Sequence, residues 1–506
     1  MKKKEDYLLE KLSDFYIFII LLIFPIAVNH TGFFHILEFK WSLYFVITIS
    51  YILLCTFIFL YFLIAKKNNY FKNRKISKVE WLMLLLLAIN ILSYLLSPYR
   101  KSHNLFLGAG RGEGLLMSSL YIISFLFLSF FTKFKKRHIN YFSISSIIFS
   151  FIAILQYIGF NPFNIYLNGI GTFNTSFIGT IGNVDFVSAY YTMFLSISFS
   201  SFVFLKEEKW EKIIHFLSFL MGFFVFGVIS VKSGVVAFAL SFVILVPFLF
   251  SNNERLSRTI LLSSSLLFAY AFNIFLNPVY YYGKNRILLE WNFSLKFLIF
   301  IIIIVFMVLL SFYVKGIKFD LSKKKELLKK YYLFLVCMVG FVIVFLFLFD
   351  FKSGFFHEIH CLLHGDFNDN YGTYRIFLWK RTLNMIERPL FGIGPDAFAI
   401  PFMQRYTLDI IKIGPYSIND TAANIYLTML INIGIVGLMT YILFIIEQVK
   451  VGIRKMNKYN YVFLIAIICY SIQAFFNLSV VLITPFIYLI FALSHVSIID
   501  KNKSGL

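Results

Sequence analysis

The sequence contains few of the residues that soluble enzymes and disulfide-linked domains depend on. Only 14% of its 506 residues are charged, and acidic residues number 25 against 47 Lys and Arg. The four cysteines, Cys55, Cys337, Cys361 and Cys469, are scattered without a CxxC pair, so neither a disulfide scaffold nor thiol chemistry is expected. Internal repeats, low-complexity tracts and glycine- or serine-rich linkers are absent as well, which favours a single domain.

Long apolar runs take the place of those residues. Hydrophobic residues make up 59% of the chain and the mean hydropathy is +0.80, whereas a single run of about 20 apolar residues already spans a bilayer. Candidate spans lie at 15–28, 41–65, 80–97, 114–131, 141–159, 183–205, 213–230, 233–251, 259–276, 291–314, 331–350, 424–446, 460–478 and 484–499. We therefore predict an all-α polytopic membrane protein with about 12–14 transmembrane helices and one long, partly helical extracytoplasmic loop.

The positions of the basic residues predict the orientation of these spans. Thirty-two of the 47 Lys and Arg fall in the loops 1–14, 66–79, 132–140, 206–212, 252–258, 315–330, 447–459 and 500–506. By the positive-inside rule both chain ends are cytoplasmic and the protein lies in the cytoplasmic membrane. The first apolar run has no small-residue cleavage site after it, so we expect it to remain as an anchor. The net charge of +22 is spread over short basic runs beside spans, which indicates contact with the lipid bilayer rather than nucleic acid.

Three regions follow: an N-terminal bundle of about eleven helices (1–350), an extracytoplasmic loop (351–423) and C-terminal transmembrane helices (424–506), together forming one membrane domain. Polar residues near a membrane boundary are candidate functional residues. Those expected at the outer face are Arg111, Glu113, Asp185, Lys232, Arg375, Asp396, Asp420 and Asn424.

Two short glycine-containing segments precede predicted spans. In GAGRGEGLL, the glycines around Arg111 allow close approach of a ligand, and a guanidinium suits a phosphate or diphosphate; a simple Arg–Glu pair at a helix end is the alternative. The segment 171–186, GTFNTSFIGTIGNVDF, includes Asn183 and either offers N–H groups at a helix N-terminus or is an ordinary loop. Lys232 follows in a tight turn, where snorkelling to the surface is the alternative to binding.

The loop at 351–423 contains further candidates. His357, His360 and His364 share one helical face, and zinc with Asp366 is conceivable, but the spacing matches no established zinc pattern and an amphipathic helix on the membrane is favoured; we predict no metal. Arg375 stands at a predicted helix start, where it opposes the helix dipole unless an anion or acidic partner compensates.

The end of this loop supplies the remaining candidates. Asp420 and Thr421 are possible N-caps of the following span, and Asp420 is equally a candidate catalytic carboxylate.

In order and spacing, several segments resemble the O-antigen ligase and polymerase family. They are GRGEGLL, GTIGNVDF, NYGTYRIFLWKRTLNMIERPLFGIGPDAF, DTAANIYLTMLINIGIVGL and QAFFNLSVVLITPF, within about residues 100–495. The resemblance implies transfer of a polyprenyl-diphosphate-linked oligosaccharide to a glycan or lipid acceptor, without cofactor or metal. It also implies a flippase, and in some systems a chain-length regulator, as partners.

The resemblance assigns roles to residues of this chain. Arg375, Arg111 and Lys232 match cations expected on the diphosphate, and Asn424, Asn183 and Arg405 are assigned to substrate binding. The family pattern D-x-A-H-N-E-Y-L reads here as DTAANIYL, so Ala423 replaces the expected histidine and Ile425 the acidic residue. Asp420 and Glu113 are therefore the candidate bases, with the three loop histidines as alternatives.

Other readings of the same residues stay open. Catalysis could rest mainly on stabilisation of the diphosphate, or the chain is an inactive homologue in a polysaccharide assembly complex. A flippase or transporter for lipid-linked glycans is the third class. Ligase and polymerase would share a donor and differ in acceptor.

Overall fold

The computed structural model describes residues 2–30, 32–64, 75–158, 160–162, 165, 179–281, 286–291, 294–317, 325–413, 420–455 and 457–504. The helices up to residue 275 are α1 (Lys2–Phe18, continued by a π-helical turn Ile19–Ile23), a 3₁₀ turn (Gly32–His35), α2 (Ile36–Ile64), α3 (Lys78–Leu96), α4 (Leu115–Phe131), α5 (Arg137–Tyr157), α6 (Val184–Phe204), α7 (Lys209–Ile229), α8 (Lys232–Leu249) and α9 (Asn253–Phe275).

The second half adds a short hairpin and eight helices. They are β1 (Leu276–Tyr281), β2 (Arg286–Trp291), α10 (Leu295–Gly316), α11 (Lys325–Leu348), α12 (Gly354–Leu363), α13 (Arg375–Leu383), α14 (Ala399–Ile413), α15 (Ile425–Arg454), α16 (Lys458–Gln473) with a 3₁₀ turn (Ala474–Phe476), and α17 (Thr484–Ser504). The strands are antiparallel, with Leu276 opposite Trp291, and were not predicted from the sequence.

The predicted all-α polytopic membrane architecture is confirmed. Eleven of the described helices are long and apolar enough to cross a bilayer: α2, α3, α5–α11, α15 and α16. The count is lower than the predicted 12–14 because α4 and the apolar part of α17 (Thr484–Ile499) are shorter, and because the first apolar run is divided between the end of α1 and the π-helical turn.

The helices alternate in direction, so that their ends form two faces. We call the face that carries residues 351–423 the loop face; it also holds the N-termini of α4, α6, α8, α15 and α17. The opposite face carries the basic loop between α4 and α5. Asp14 of α1 pairs there with Arg137, and Asn457 before α16 bonds the carbonyl of Ser497 in α17 at 2.9 Å. Residues near both ends of the described chain therefore lie on the opposite face.

Helix α6 is the centre of the bundle. All residues in the most apolar stretch of α6 are buried inside the protein. In the corresponding stretch of α11, which lies at the periphery, only 6% of the residues are buried. Serine and threonine residues such as Ser188 and Thr192 let neighbouring helices approach α6 closely while their hydroxyls find partners, as in many membrane bundles. The loop face thus presents the first turn of a helix that is surrounded by protein.

Helix α15 is broken near its loop-face end, where Gly434 has φ 72° and ψ −178°. The segment Pro389–Gly394 lies in the break and satisfies its backbone: Ile435 N donates to Pro389 O at 2.7 Å, and Gly394 N donates to Asn432 O at 2.9 Å. A side chain at position 434 would meet Leu390 O at 2.2 Å, so only glycine fits. The PLFGIG motif therefore joins the loop to a discontinuous membrane helix, and its backbone supplies partners for backbone groups that the break frees.

Candidate active site

The glycine-rich segment 108–114 closes around a carboxylate of the chain itself. Asp396, only 7% exposed, accepts hydrogen bonds from Gly110 N at 3.0 Å and Glu113 N at 3.1 Å through one oxygen. A Cβ at Gly108 or Gly110 would lie 2.4 or 2.9 Å from the Asp396 carboxylate. The sequence predicted that these glycines let a ligand approach the backbone; here the group that approaches is Asp396, which fixes the segment in place.

Glu113, held by this segment, faces a cavity of about 110 Å³ below the loop face. Tyr121 Oη donates to Glu113 Oε1 at 3.0 Å, and the Tyr121 ring stacks on Tyr488 with centroids 5.5 Å apart. Asp396 also lines the cavity, as does Asn432, which lies at the break in α15. The lining is rich in hydrogen-bond acceptors, and Oδ1 of Asn432 is a buried acceptor without a partner among the described residues.

The two carboxyl groups of the cavity titrate at unusually high pH. Burial raises the pKa of Glu113 to about 8, and the negative charge of Asp396 adds to the shift. Burial also raises the pKa of Asp396, to about 6, although the N–H groups of Gly110 and Glu113 oppose the change. A carboxyl group with a pKa in this range can exchange its proton near neutral pH, which is what a general base requires.

Arg111 stands at the mouth of the cavity and bonds the other candidate base. Its Nε lies 2.7 Å from Asp420 Oδ2, and both side chains are largely buried. Its guanidinium carbon lies 5.7 Å from the centre of the Phe186 ring. The close partner of Arg111 is Asp420, 309 residues away, and not the Glu113 of the expected Arg–Glu pair.

Arg375 also lies near the first turn of α6, the turn that contains Phe186. It begins α13, as predicted, and donates to Gly372 O and Thr373 Oγ1 within the loop and to Phe476 O at 3.2 Å. Asp185 lies close enough to interact with Arg375 electrostatically. The unfavourable cation at a helix N-terminus is thus partly offset, and Nε of Arg375 is a buried donor without a partner among the described residues.

Lys232 lies at the N-terminus of α8 and is exposed. The first turn of α8 packs on the first turn of α6, where a Cβ on Gly234 would lie 2.0 Å from Ser188 Oγ. Asn183 caps α6 by accepting from Asp185 N at 2.8 Å. Arg111 and Arg375 therefore lie near the N-terminus of α6, a region of positive helix dipole, and Lys232 begins the adjacent helix α8. Of the predicted segment 171–186, residues 171–178 lie outside the described residues.

The predicted N-cap of α15 was wrong. Asn424 caps this helix, because its Oδ1 accepts from the N–H groups of Tyr426 at 3.0 Å and Leu427 at 3.1 Å, whereas Asp420 lies four residues earlier on Arg111. Nδ2 of Asn424 is buried without a partner among the described residues. Ala423, in the place of the expected histidine, has a left-handed backbone with φ 47°.

Other predicted residues lie outside this group. Arg405 pairs with Glu387 on the protein surface. In α12, His357 bonds Asp350 at 2.5 Å while His360 faces the carbonyl of Leu346, and α12 has no buried residue. Among the described residues, no group of three His, Cys, Asp or Glu side chains is arranged to hold a metal ion.

Three residues without a role assigned from the sequence complete the arrangement. Asn477 donates to Asp185 O at 3.1 Å, and Trp379 donates to Ala422 O at 3.1 Å while its ring centre lies 5.4 Å from that of Phe475. Tyr121 is the third, through Glu113. Trp379 in α13 and Asn477 in QAFFNLSV could have been noticed in the sequence as candidate functional residues. Their partners could not be predicted, because they lie far away in sequence.

Comparison with known protein families identifies part of the chain. Residues 256–442 match a family model described as O-antigen ligase. This part of the chain is therefore similar to the O-antigen ligase family. The match begins in α9 and ends in α15, so that it contains Arg375, Asp396 and Asp420 but not Arg111, Glu113 or Lys232. A search of curated proteins finds no match. The predicted resemblance is confirmed, and the arrangement combines residues of the family domain with residues from the N-terminal helices.

Proposed function

We propose that this protein transfers a polyprenyl-diphosphate-linked oligosaccharide to a glycan or lipid acceptor during surface polysaccharide assembly. The family domain supports a function of the O-antigen ligase or polymerase type. One observation carries the proposal: Glu113, a partly buried carboxyl group, lines the same cavity as Arg111, whose guanidinium lies beside the first turn of α6.

The diphosphate binds at the N-terminus of α6. Arg111 lies near Phe186 and Arg375 interacts with Asp185, both in the first turn of α6, and Lys232 begins the adjacent helix α8, so these cations and the helix dipole favour an anion there. Buried donors support the assignment, because Arg375 Nε and Asn424 Nδ2 are without partners among the described residues, and such groups are costly unless a ligand satisfies them. The carboxyl groups that line the cavity repel the negatively charged diphosphate, which therefore binds at the mouth of the cavity.

The acceptor hydroxyl enters the cavity. Glu113 takes the hydroxyl proton, the acceptor oxygen attacks the anomeric carbon, and the bond from that carbon to the diphosphate oxygen breaks. The electron pair goes to the diphosphate, whose growing negative charge the arginines stabilise. Asp420 orients Arg111 through their 2.7 Å contact, and Glu113 is therefore the first candidate for the base.

The loop face is the outer face of the cytoplasmic membrane in this proposal. The concentration of Lys and Arg in the loops of the opposite face supports that orientation, with both ends of the chain cytoplasmic. A flippase would deliver the donor, and in a polymerase system a chain-length regulator would be a further partner. In this proposal, region 1–350 is the helical scaffold, region 351–423 is the extracytoplasmic loop, and region 424–506 contributes the last membrane helices.

The test is the glycan ladder of a deletion strain complemented with single variants. We expect wild type to restore long chains, and Arg375→Ala and Glu113→Gln to fail at equal protein level in the membrane. Arg100→Ala is the matched control, because Arg100 is an exposed cation of the loop face whose partner is the ring of Tyr94. Asp420→Asn should retain part of the activity if Asp420 positions Arg111.

The outcomes separate the competing functions. If Arg375→Ala and Glu113→Gln both restore the ladder, the chain acts without this chemistry, as an assembly partner; Ala423 in place of histidine motivates that alternative. If deletion leaves the ladder intact but removes glycan from its surface acceptor, the protein is a ligase and not a polymerase.

A further inference from the structure

Helix α11 attaches to the bundle through a proline in its neighbour. Pro247 lies inside α8 and has no N–H, so the carbonyl of Val243 loses its helical partner. Tyr331 Oη of α11 donates to that carbonyl at 2.7 Å, and Tyr332 Oη donates to Ile244 O at 3.1 Å. These bonds hold α11 against α8 while most of its apolar surface faces outward.

A groove of about 470 Å³ remains between the end of α8 and the beginning of α11. Its walls include Val246, Pro247, Phe248, Leu328 and Phe334, which are apolar. Toward the opposite face the lining becomes polar, with Ser251, Arg255, Lys330 and Tyr461. An apolar trough that ends in cations at the depth of the membrane interface has the polarity of a phospholipid.

Among the described residues, the groove lining contains no acidic side chain that would neutralise its cations. The guanidinium of Arg255 contacts the hydroxyl of Ser251 at 2.9 Å and the ring of Phe204 at 5.1 Å, and neither partner carries a negative charge. Lys330 pairs with Glu326 at 3.1 Å, but both side chains are more than 70% exposed, which makes the pair weak. In sequence, the segment 315–330 that leads into α11 contains seven lysines against two acidic residues, so its net charge is positive.

We propose that this groove binds an anionic phospholipid. Its phosphate lies between Arg255 and Lys330, and one acyl chain lies along Pro247 and Phe334. The lipid adds contacts to a helix that has few, and α11 leads directly into the loop at 351–423 that carries Arg375. The site is separate from the proposed transfer reaction and does not depend on it.

The test is native mass spectrometry of the full-length protein with phosphatidylglycerol or phosphatidylethanolamine of identical acyl chains. We expect wild type to retain phosphatidylglycerol preferentially. Since one basic side chain near a membrane surface is worth roughly a fivefold change in binding, Arg255→Gln and Lys330→Gln should each weaken retention about fivefold and the double variant about 30-fold. Lys329→Gln is the control, because Lys329 is an adjacent exposed lysine outside the groove lining.

Further variants test the occupant itself. Leu328→Trp should block retention by filling the groove without a change of charge, and inorganic phosphate should not displace the lipid. A photo-cross-linker at position 334 should capture lipid. Equal retention of both lipids, no loss in the Arg255 and Lys330 variants, displacement by phosphate, or capture of a protein helix at position 334 would each overturn the proposal. If Arg255→Gln fails to fold, Lys330→Gln alone decides.

Discussion

Acidic side chains on the two faces of the membrane domain have opposite surroundings. On the opposite face, Asp14 contacts Lys135, Arg137 and His138, and hydrogen bonds from His138 and Lys135 outweigh the effect of burial and lower its pKa to about 2. On the loop face, burial dominates at Glu113 and raises its pKa to about 8.

The difference teaches which acids stabilise the fold and which are available for chemistry. An acid surrounded by cations is ionised in the folded protein and stabilises it. An acid buried with another acid is destabilising when ionised, and such strained pairs are common where proteins exchange protons. Asp420 lies between these two cases, because a single arginine neutralises it at the cavity mouth.

The largest expected effect comes from removing the proton acceptor of the cavity. Glu113→Gln should lower transfer about 10²- to 10⁴-fold, the usual contribution of a general base. Transfer from a lipid-linked donor by the purified protein should increase toward pH 8 in wild type and lose that dependence in the variant. Glu387→Gln, a surface acid paired with Arg405, is the control. A variant with the wild-type rate and pH profile would remove Glu113 from the mechanism.

The second prediction concerns the paired acid of the opposite face. Asp14→Asn should lower the free energy of unfolding by about 1.5–3 kcal/mol, because hydrogen bonds to charged partners are lost. The specific activity of the folded protein should not change. Thermal unfolding in detergent together with the transfer assay measures both quantities. A change in the pH profile of transfer would show that the two faces are coupled.

Asp396→Asn should sharpen the comparison with a smaller change. The amide still accepts from Gly110 or Glu113, so the segment 108–114 should remain folded, with a loss of roughly 1–2 kcal/mol in unfolding free energy. Because the charge of Asp396 helps to raise the pKa of Glu113, the rise of transfer rate with pH should move to lower pH. An unchanged midpoint would mean that burial alone sets the pKa of Glu113.

The smallest effect is the dependence of stability on pH. Between Glu113's ordinary pKa near 4.5 and about 8 the folded state retains a proton that the unfolded state releases, so stability should decrease as pH increases through this range. Glu113→Gln should flatten that slope. For Asp14, stability should decrease as pH falls from about 3.8 toward 2, and Asp14→Asn should remove this acid dependence. Thermal melts across pH measure both slopes, and parallel curves for the variants and wild type would contradict the assignments.

Much of the architecture could be predicted because bilayer insertion is a local property. Each apolar run can insert into the bilayer by itself, because a helix satisfies its own backbone hydrogen bonds. The membrane helices, and the start of α13 at Arg375, can therefore be predicted from neighbouring residues in the sequence. The N-cap residue of α15 could not be predicted in this way. Asp420, Thr421 and Asn424 are all good capping residues, and the contact of Asp420 with Arg111 decides among them.

The sequence by itself determined a multi-pass helical bundle, its polar loop and the family to which residues 256–442 match, since these depend on hydropathy and short motifs. Only the tertiary structure decided that Asp396 fills the glycine-rich segment, that PLFGIG completes the broken α15, and that Glu113 shares a cavity with a second acid. Those contacts join residues about 40 to more than 280 positions apart, and the pKa of a carboxyl depends on what surrounds it in space.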